Sequence, residues 1–577
     1  MGGNPAGVPP AGFPQDVLEL IRSGSRGATA PLFCALDVLS SPAACPEDAL
    51  LLGSLPWEGH HDDPEELFLA HRFGWALILL ASGVSDAGLV RILEMADTWR
   101  SSHPCEEGKL GWDSYSVAER LVHWLFLVSA AKRRGLLEGE LFGQLEASLR
   151  EHAEFLLSHL EFRGASTNNH LVNDARALYL AGVCLSDVRL QEAGRKILEF
   201  GARNIFTFSG FLREGSTHYH LLLTRAFLEV LWAGRVAGDD ELWERLRDSV
   251  AAMVRAAAFL QDRDELALVG DVSPDFPPEF HGGIAAVGAR LLGQGSPSLP
   301  RERGWHSFFI EDAEASSTAG SMQNVPRKES YPDAGFHRFV CGDWTFSLYL
   351  NPLGYVPSWS HGHADILGFV LHFRDMPFVV DSGRSTYMDT PLGRYGRSGR
   401  SHSAILVDGL EACLAHGHNG YLLAMIPDYY EWVPEFSVEE MAEGFRVRVL
   451  CRGFERIQPG LTVSRIFELT ESRFSVTDEI NGTGRHLVET FFHFHPDVKN
   501  ERLGESAVRC YLPGGGRLAL WAEGEGVSSV ELVRGAGAPN PAGWFSPRYG
   551  EPVPAGTAMW SGRRNLPLRR RYVIQKR

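Results

Sequence analysis

Four side chains in one stretch of the sequence, His361, His363, Asp381 and His402, are of the types that bind metal ions and move protons. His361 and His363 lie in SWSHGHADILGF, Asp381 in FVVDSG and His402 in GRSHSAILVDG. The apolar run Ile366–Phe373, the turn at Arg374-Asp375 and the returning run Pro377–Val380 predict two consecutive strands, with a third over Ala404–Val407. A His-x-His pair on one strand, an Asp on the next and a His on the third make a three-ligand set suited to zinc. The plainer alternative is a group of polar residues that satisfy one another between sheets.

Two earlier segments place polar residues where apolar ones are expected. In STNNHLVNDARALYLAG, Asn168, Asn169 and His170 open an apolar helix. Asn is an ordinary helix N-cap, but two Asn followed by His also offer donors to a carboxylate. In FLREGSTHYHLLLTRAFLEVL, Ser216 or Thr217 is the expected cap, and Tyr219 and His220 occupy the first turn. A Tyr there usually packs, yet its phenol can serve as a general acid beside a leaving oxygen. Arg394, Arg397 and Arg400 in GRYGRSGRS fit either a solvated loop or a local basic patch, since guanidinium pairs well with carboxylate and sulfate.

The elements that must carry these groups divide by position. Leu67–Ser82, Val117–Lys132, Leu141–His159, Leu171–Leu185, Leu190–Phe200, Thr217–Val236 and Leu242–Gln261 repeat apolar residues at spacings of three and four, which predicts helices. Without a strict repeat, the succession reads as an α/α toroid rather than a regular solenoid. Ser, Pro and Gly accumulate between about 293 and 332. Beyond them the runs Trp344–Leu350, Phe445–Cys451, Leu461–Leu469, Phe474–Ile480, Leu487–His495, Leu518–Trp521 and Arg571–Ile574 alternate or are β-rich. Short turns separate them, which predicts an antiparallel β-sandwich. Helices first and strands after imply separate domains of an α+β multidomain chain. The expected division is a toroid over 1–310, a linker over 311–332 and a sandwich over 333–577.

Size and charge narrow the function. A chain of 577 residues exceeds one ordinary core. A net charge of −17 argues against general nucleic-acid binding and requires a local basic pocket for any acidic substrate. No apolar run is long enough to span a bilayer. No secretory signal pattern opens the chain, which favours a cytoplasmic location over a secreted one. The eight cysteines, Cys34, Cys45, Cys105, Cys184, Cys341, Cys413, Cys451 and Cys510, contain no CxxC and read as reduced, mostly buried thiols.

In this order and on these element types, the segments NNH at 168–170, STHYH at 216–220, HGHAD at 361–365, VVDSG at 379–383, SHSAILVDG from 401 and WFSPRYGEP at 544–552 resemble motifs of the heparinase II/III family of polysaccharide lyases. The resemblance covers most of the chain. It implies a helical toroid followed by a β-sandwich, with an active site in the cleft between them. It also implies that Asn169 with His170 binds the carboxylate of a uronate polysaccharide or oligosaccharide. By the same resemblance Tyr219 is the general acid and also a candidate base, and His361 is a base or carboxylate-side stabiliser, while His363, Asp381 and His402 hold a mainly structural zinc. Asn168, His220, Tyr387, Arg394, Arg397 and Arg400 are the further substrate-binding candidates. Tyr387 stands where alginate-lyase-like members carry a functional Tyr. At Asn173 the chain departs from the heparinase II branch, which carries an acidic residue there, so that branch's dual heparin and heparan specificity is not carried over.

Two other functions remain open at this point. A uronyl C5-epimerase would use the same proton abstraction without cleavage, and a carbohydrate-binding accessory protein would share the fold without turnover. A homodimer is compatible with either.

Overall fold

A computed structural model describes residue 57 and residues 61–137, 139–164, 167–261, 266–294, 299–300, 303–310, 327–350, 361–413, 434–524 and 527–577. The chain forms two units. The first comprises residues up to Phe211 with His220–Phe259 and Pro274–Ser321, and the second comprises Leu212–Tyr219, Leu260–Ser273 and Met322–Arg577. Two short segments of the helical half therefore cluster with the strands. The expected linker over 311–332 falls largely outside the described residues, and its last part already contains a strand.

The first unit is the helical toroid. Its helices are α1 (Pro64–Arg72), α2 (Gly74–Ser82), α3 (Asp86–Ser102), α4 (Ser114–Arg133), α5 (Glu140–Ser158), α6 (Asn169–Cys184), α7 (Val188–Asn204), α8 (Thr217–Ala237), α9 (Asp240–Leu260) and α10 (Ile284–Leu292). Side chains of Asp63, Ser85, Asp113, Asn168 and Asp187 accept from first-turn amides, so the starts are fixed by local sequence. One expected helix, Leu67–Ser82, is two. Phe73 takes a left-handed φ of 61° and separates α1 from α2. Helices α4 and α6 are buried over most of their circumference, and charged residues at their centres must find partners inside the unit.

The second unit holds the strands. β1 (Lys328–Tyr331), β2 (Phe336–Cys341), β3 (Trp344–Tyr349), β4 (Val370–Phe373) and β5 (Met376–Val379) form an antiparallel meander in chain order. They are followed by β6 (Ile405–Val407), β7 (Glu435–Met441), β8 (Gly444–Cys451), β9 (Thr462–Thr470), β10 (Arg473–Asn481), β11 (Arg485–His493), β12 (Lys499–Arg502) and β13 (Ala507–Tyr511). The last are β14 (Arg517–Glu523), β15 (Val530–Arg534), β16 (Trp544–Arg548), β17 (Glu551–Pro554), β18 (Gly556–Asn565) and β19 (Leu568–Lys576). One sheet runs β12-β13-β14-β19-β10-β9-β8-β7, another runs β15-β18-β11-β6, and β16 pairs β17. Phe346 of the meander packs 4.8 Å from Phe467 and 5.0 Å from Phe474 of the largest sheet, while Phe492 meets Tyr572 at 5.3 Å. One apolar core thus joins the inward faces of the three larger sheets. The six described cysteines form no disulfide, and all but Cys105 are buried. Cys34 and Cys45 lie outside the described residues.

Candidate active site and metal centre

The histidine cluster does not lie within strands. His361, His363 and Asp365 precede β4, Asp381 follows β5, and His402 precedes β6 in a different sheet. The expected strand from Ile366 is broken at its start. Leu367 has a φ of 67°, and the Gly368 amide closes a turn onto the Asp365 carbonyl at 2.7 Å. Strand alternation would send neighbouring side chains to opposite faces, whereas turns let ligand atoms converge.

His363, Asp381 and His402 each bring one ligand atom within 4.8 Å of the others, and all three are buried. His363 Nε2 meets Asp271 Oδ1 at 2.9 Å, and His402 Nδ1 meets Asp381 Oδ2 at 2.9 Å. The opposite nitrogens, His363 Nδ1 and His402 Nε2, are buried without a hydrogen-bond partner. For His363, a non-ligand carboxylate on one imidazole nitrogen and an unpartnered second nitrogen is the arrangement of histidines that ligate metal. Asp381 Oδ1 also accepts from the Gly383 amide at 3.0 Å. Asp365 is buried beside His402 and Asp381 with neither carboxylate oxygen hydrogen-bonded, and burial pushes it up to about 7. A cation here would relieve that cost. The residues present therefore fit a metal ion.

Next to this centre lies a group that can move protons. Ser216 Oγ accepts from the Tyr219 amide at 3.1 Å, capping α8 as the sequence predicts. Thr217 Oγ1 instead donates to the Ala267 carbonyl at 2.8 Å. The cap directs Tyr219 against His361, with ring centroids 3.6 Å apart and planes 12° from parallel. Tyr219 Oη lies 2.8 Å from Tyr387 Oη. Tyr387 reaches the surface in part, but its hydroxyl is desolvated; burial, with Tyr219 and Asp271 nearby, holds the phenol well above its usual range. Tyr387 therefore keeps its proton and can donate it to Tyr219 Oη. His361 Nδ1 meets Asp271 Oδ2 at 3.2 Å, and His361 Nε2 stands 3.5 Å from Glu214 Oε2.

Asp271 joins the two groups. Burial acts to raise its proton affinity, but the Arg384 guanidinium at 3.5 Å and the two histidine contacts hold it well below the usual carboxylate range. Arg384 also lies 5.0 Å over the Tyr387 ring. The segment after β5 is pinned by Ser546 N to Ser382 O and Gly550 N to Ser385 O, each 2.8 Å. Tyr549 Oη accepts from the Tyr387 amide at 2.9 Å.

The other candidates take varied positions. In the toroid Asn168 is the N-cap of α6, accepting from the His170 amide at 3.2 Å. Asn169 is buried, and half-exposed His170 holds Glu161 Oε2 at 2.8 Å. Burial opposes ionisation of Glu161, yet His170 and Arg163 keep it below its usual range. His220 is buried, facing the Met253 carbonyl at 3.2 Å, and burial pushes it down to about 4. Arg394 pairs with Asp389 at 2.6 Å, and Arg400 meets Glu489 at 3.0 and 3.1 Å. Arg397 is half-buried and donates to the Gly362 carbonyl at 3.4 Å, behind the His361–His363 turn. His218 and His220 flank Tyr219 in the first turn of α8. His218 Nδ1 accepts from the Ser273 amide at 3.0 Å, so that nitrogen carries no proton, and His220 is held neutral. The cation beside the tyrosines is Arg384.

Sequence reasoning missed Asp271, Glu214, Arg384 and Tyr549. Glu214 and Tyr549 lie inside segments already singled out, FLREGSTHYH and WFSPRYGEP, and Arg384 directly follows VVDSG. Asp271 has only a Gly-Asp at the end of the apolar run LALVGD to mark it.

Residues 324–571 match the family model described as Heparinase II/III-like, C-terminal. The match covers the strand-rich second half of the chain. No curated protein matches the chain. Among solved structures, heparinase III resembles it with a TM-score of 0.65 at 15% identity, over 97% of this chain and 88% of that one. A heparan sulfate lyase HepC mutant from Pedobacter heparinus gives 0.61 at 16% identity, over 97% and 87%. A chondroitin AC lyase from Streptomyces coelicolor A3, solved with chondroitin sulphate, gives 0.52 at 13% identity, over 100% and 80%. At these identities the likeness establishes the toroid-plus-sandwich fold.

Proposed function

We propose that the protein is a polysaccharide lyase that cleaves a uronic-acid-containing glycosaminoglycan or its oligosaccharides by β-elimination. The observation that carries this reading is the hydroxyl pair of Tyr219 and Tyr387 at 2.8 Å, with the His361 ring stacked on Tyr219. In this reaction the C5 proton leaves, the C4–O bond breaks and an unsaturated uronate forms. Tyr219 Oη accepts from Tyr387 and directs its own proton to the C4 oxygen, and the phenolate left behind is stabilised by the same hydrogen bond. His361 donates Nδ1–H to Asp271, which leaves Nε2 to take the C5 proton, with Glu214 to stabilise the imidazolium. Asn169 and His170 bind the uronate carboxylate and stabilise the charge that develops on it as C5 is deprotonated. Arg397 contributes positive charge for an acidic substrate.

The cation we assign to His363, Asp381 and His402 is zinc, because two imidazoles and one carboxylate suit it. Zinc bound there would supply structure, holding the turns before β4 and β6 and after β5 together. Elemental analysis of protein purified without chelator is expected to find it.

The test is incubation with a panel of uronate polymers while following ultraviolet absorbance of the unsaturated product. A rise is expected. Solvent deuterium entering C5 without a rise assigns the epimerase instead, and neither signal across the panel leaves a binding protein. Tyr219→Phe is expected to lower kcat by about 10²–10⁴-fold with little change in KM. A near-normal rate removes Tyr219 from the mechanism.

A further inference from the structure

We propose that Asp271 is a positioning residue that couples metal occupancy to proton transfer, because one carboxylate orients both His361 and His363. The inference rests on the lyase reading and adds to it a route by which the metal acts on chemistry it does not touch.

The carboxylate is divided between two tasks. Oδ2 meets His361 Nδ1 at 3.2 Å, and Oδ1 meets His363 Nε2 at 2.9 Å. Accepting a proton from each ring fixes both tautomers. His361 is left with its lone pair on Nε2, and His363 with its lone pair on Nδ1, the unpartnered atom of the metal centre. The neighbours facing Asp271 are His361, His363 and Arg384, and its side chain is 1% exposed. Water therefore does not substitute for either contact.

The backbone is held as firmly as the side chain. The Asp271 amide donates to the His361 carbonyl at 2.9 Å, and Ser216 Oγ donates to the Asp271 carbonyl at 2.7 Å. Gly270, at a φ of 75°, brings its backbone so close that a Cβ there would stand 2.1 Å from Gly215 O and 2.6 Å from His361 O. Asp271 is thus fixed to the start of α8, which carries Tyr219, and to the turn that carries both histidines. With zinc on Nδ1, His363 cannot turn away from Asp271. Without it, only the contact to Asp271 orients His363, and the hold of that shared carboxylate on His361 loosens. Affinity and catalytic geometry are then linked in both directions.

The test uses the full chain and zinc itself. Zinc affinity is read by competition with a chromophoric chelator, without substrate, for wild type, Asp271→Asn and Asp271→Glu. The expected result is about 10–100-fold weaker binding in Asp271→Asn. On a polymer that the wild type cleaves, kcat is expected to fall in Asp271→Asn while KM stays within about twofold. Stripping zinc is expected to lower kcat of the wild type but to add little in Asp271→Asn. If Asp271→Asn does not fold, His363→Ala tests the other end of the bridge, with a lower kcat expected although His363 is not a catalytic residue. The inference is overturned by wild type that takes up no zinc, by Asp271→Asn binding zinc as tightly as wild type, or by His363→Ala with unchanged kcat. Should no polymer be cleaved, the lyase reading fails on its own and the zinc-affinity arm still decides whether Asp271 orients His363.

Discussion

The toroid buries a cluster of arginine–glutamate pairs, whereas the sandwich unit, beside a buried Arg465–Asp478 pair, buries one aspartate shared by two histidines and an arginine. In the toroid Arg176 donates to Glu229 at 2.7 Å and to Glu119 at 2.8 Å, with Arg225 3.7 Å from Glu119 and 3.6 Å from Glu229. All four are fully buried. Burial disfavours ionised Glu119, yet Arg176, His123 and Arg225 hold it below the carboxylate range. These four guanidinium and carboxylate groups pair with one another and link α4, α6 and α8. The Asp271 group is built from imidazoles and sits against phenols, whose protons can move. Burial and ion pairing are common to both; what separates scaffold from chemistry is whether the partners can change protonation state.

The largest effect that separates the two networks is on stability. Glu229→Gln leaves two guanidiniums facing one carboxylate and weakens the hydrogen bond accepted from Trp305 Nε1 at 2.7 Å. Breaking a buried pair on one side costs about 3–5 kcal/mol. Denaturant unfolding is expected to show that loss while the folded fraction retains its kcat at 25 °C. If kcat falls as steeply as stability, the toroid network is not a mere scaffold and the contrast fails.

Much of this contrast could be foreseen in general but not in particular. Helices with apolar spacing and strands with alternation were legible because local pattern determines them, as for α6, α8 and β8 to β11. Helix α3 was missed because its apolar positions are diluted by Asp, Arg and Thr, and the break at Phe73 because it depends on one residue's φ. In the site, His361, His363, Asp381, His402 and Tyr219 were legible because residue types and spacing mark them. Asp271 was not, since its role arises only when residues about ninety positions apart meet, which no local pattern encodes. Asn173 was noted as a departure, and its place is now physical: Oδ1 accepts from Arg176 at 3.0 Å within the scaffold network.

A smaller effect concerns His220, named from sequence as a substrate contact but placed by the fold in the toroid interior. Burial pushes its imidazole down to about 4, against about 6.5 in an unfolded chain. Between those values the unfolded chain binds a proton that the folded chain refuses, so stability falls as pH falls from about 6.5 to about 4, by about 3 kcal/mol in all. His220→Gln is expected to flatten that part of the stability–pH curve, measured by denaturant unfolding at several pH values, and to leave KM unchanged. An unaltered slope with a raised KM would return His220 to the substrate and blur the division between scaffold and site.

The smallest effects distinguish the three arginines of the GRYGRSGRS loop. Arg394 pairs with Asp389 at an exposed position, and such pairs are worth about 1 kcal/mol or less. Arg400 is paired with Glu489, whose side chain is only 6% exposed, so it is already neutralised. Arg397 meets a carbonyl rather than a carboxylate, and burial, with Arg384 nearby, lowers its hold on its proton. A guanidinium with no carboxylate in its hydrogen bonds has the most to gain from an acidic ligand. On a cleaved polymer, Arg397→Ala is therefore expected to raise KM several-fold, whereas Arg394→Ala leaves KM within about twofold and stability within about 0.5 kcal/mol. Equal KM values for the two variants would mean that the substrate's charge is met elsewhere, and that Arg397 belongs with the paired, structural arginines.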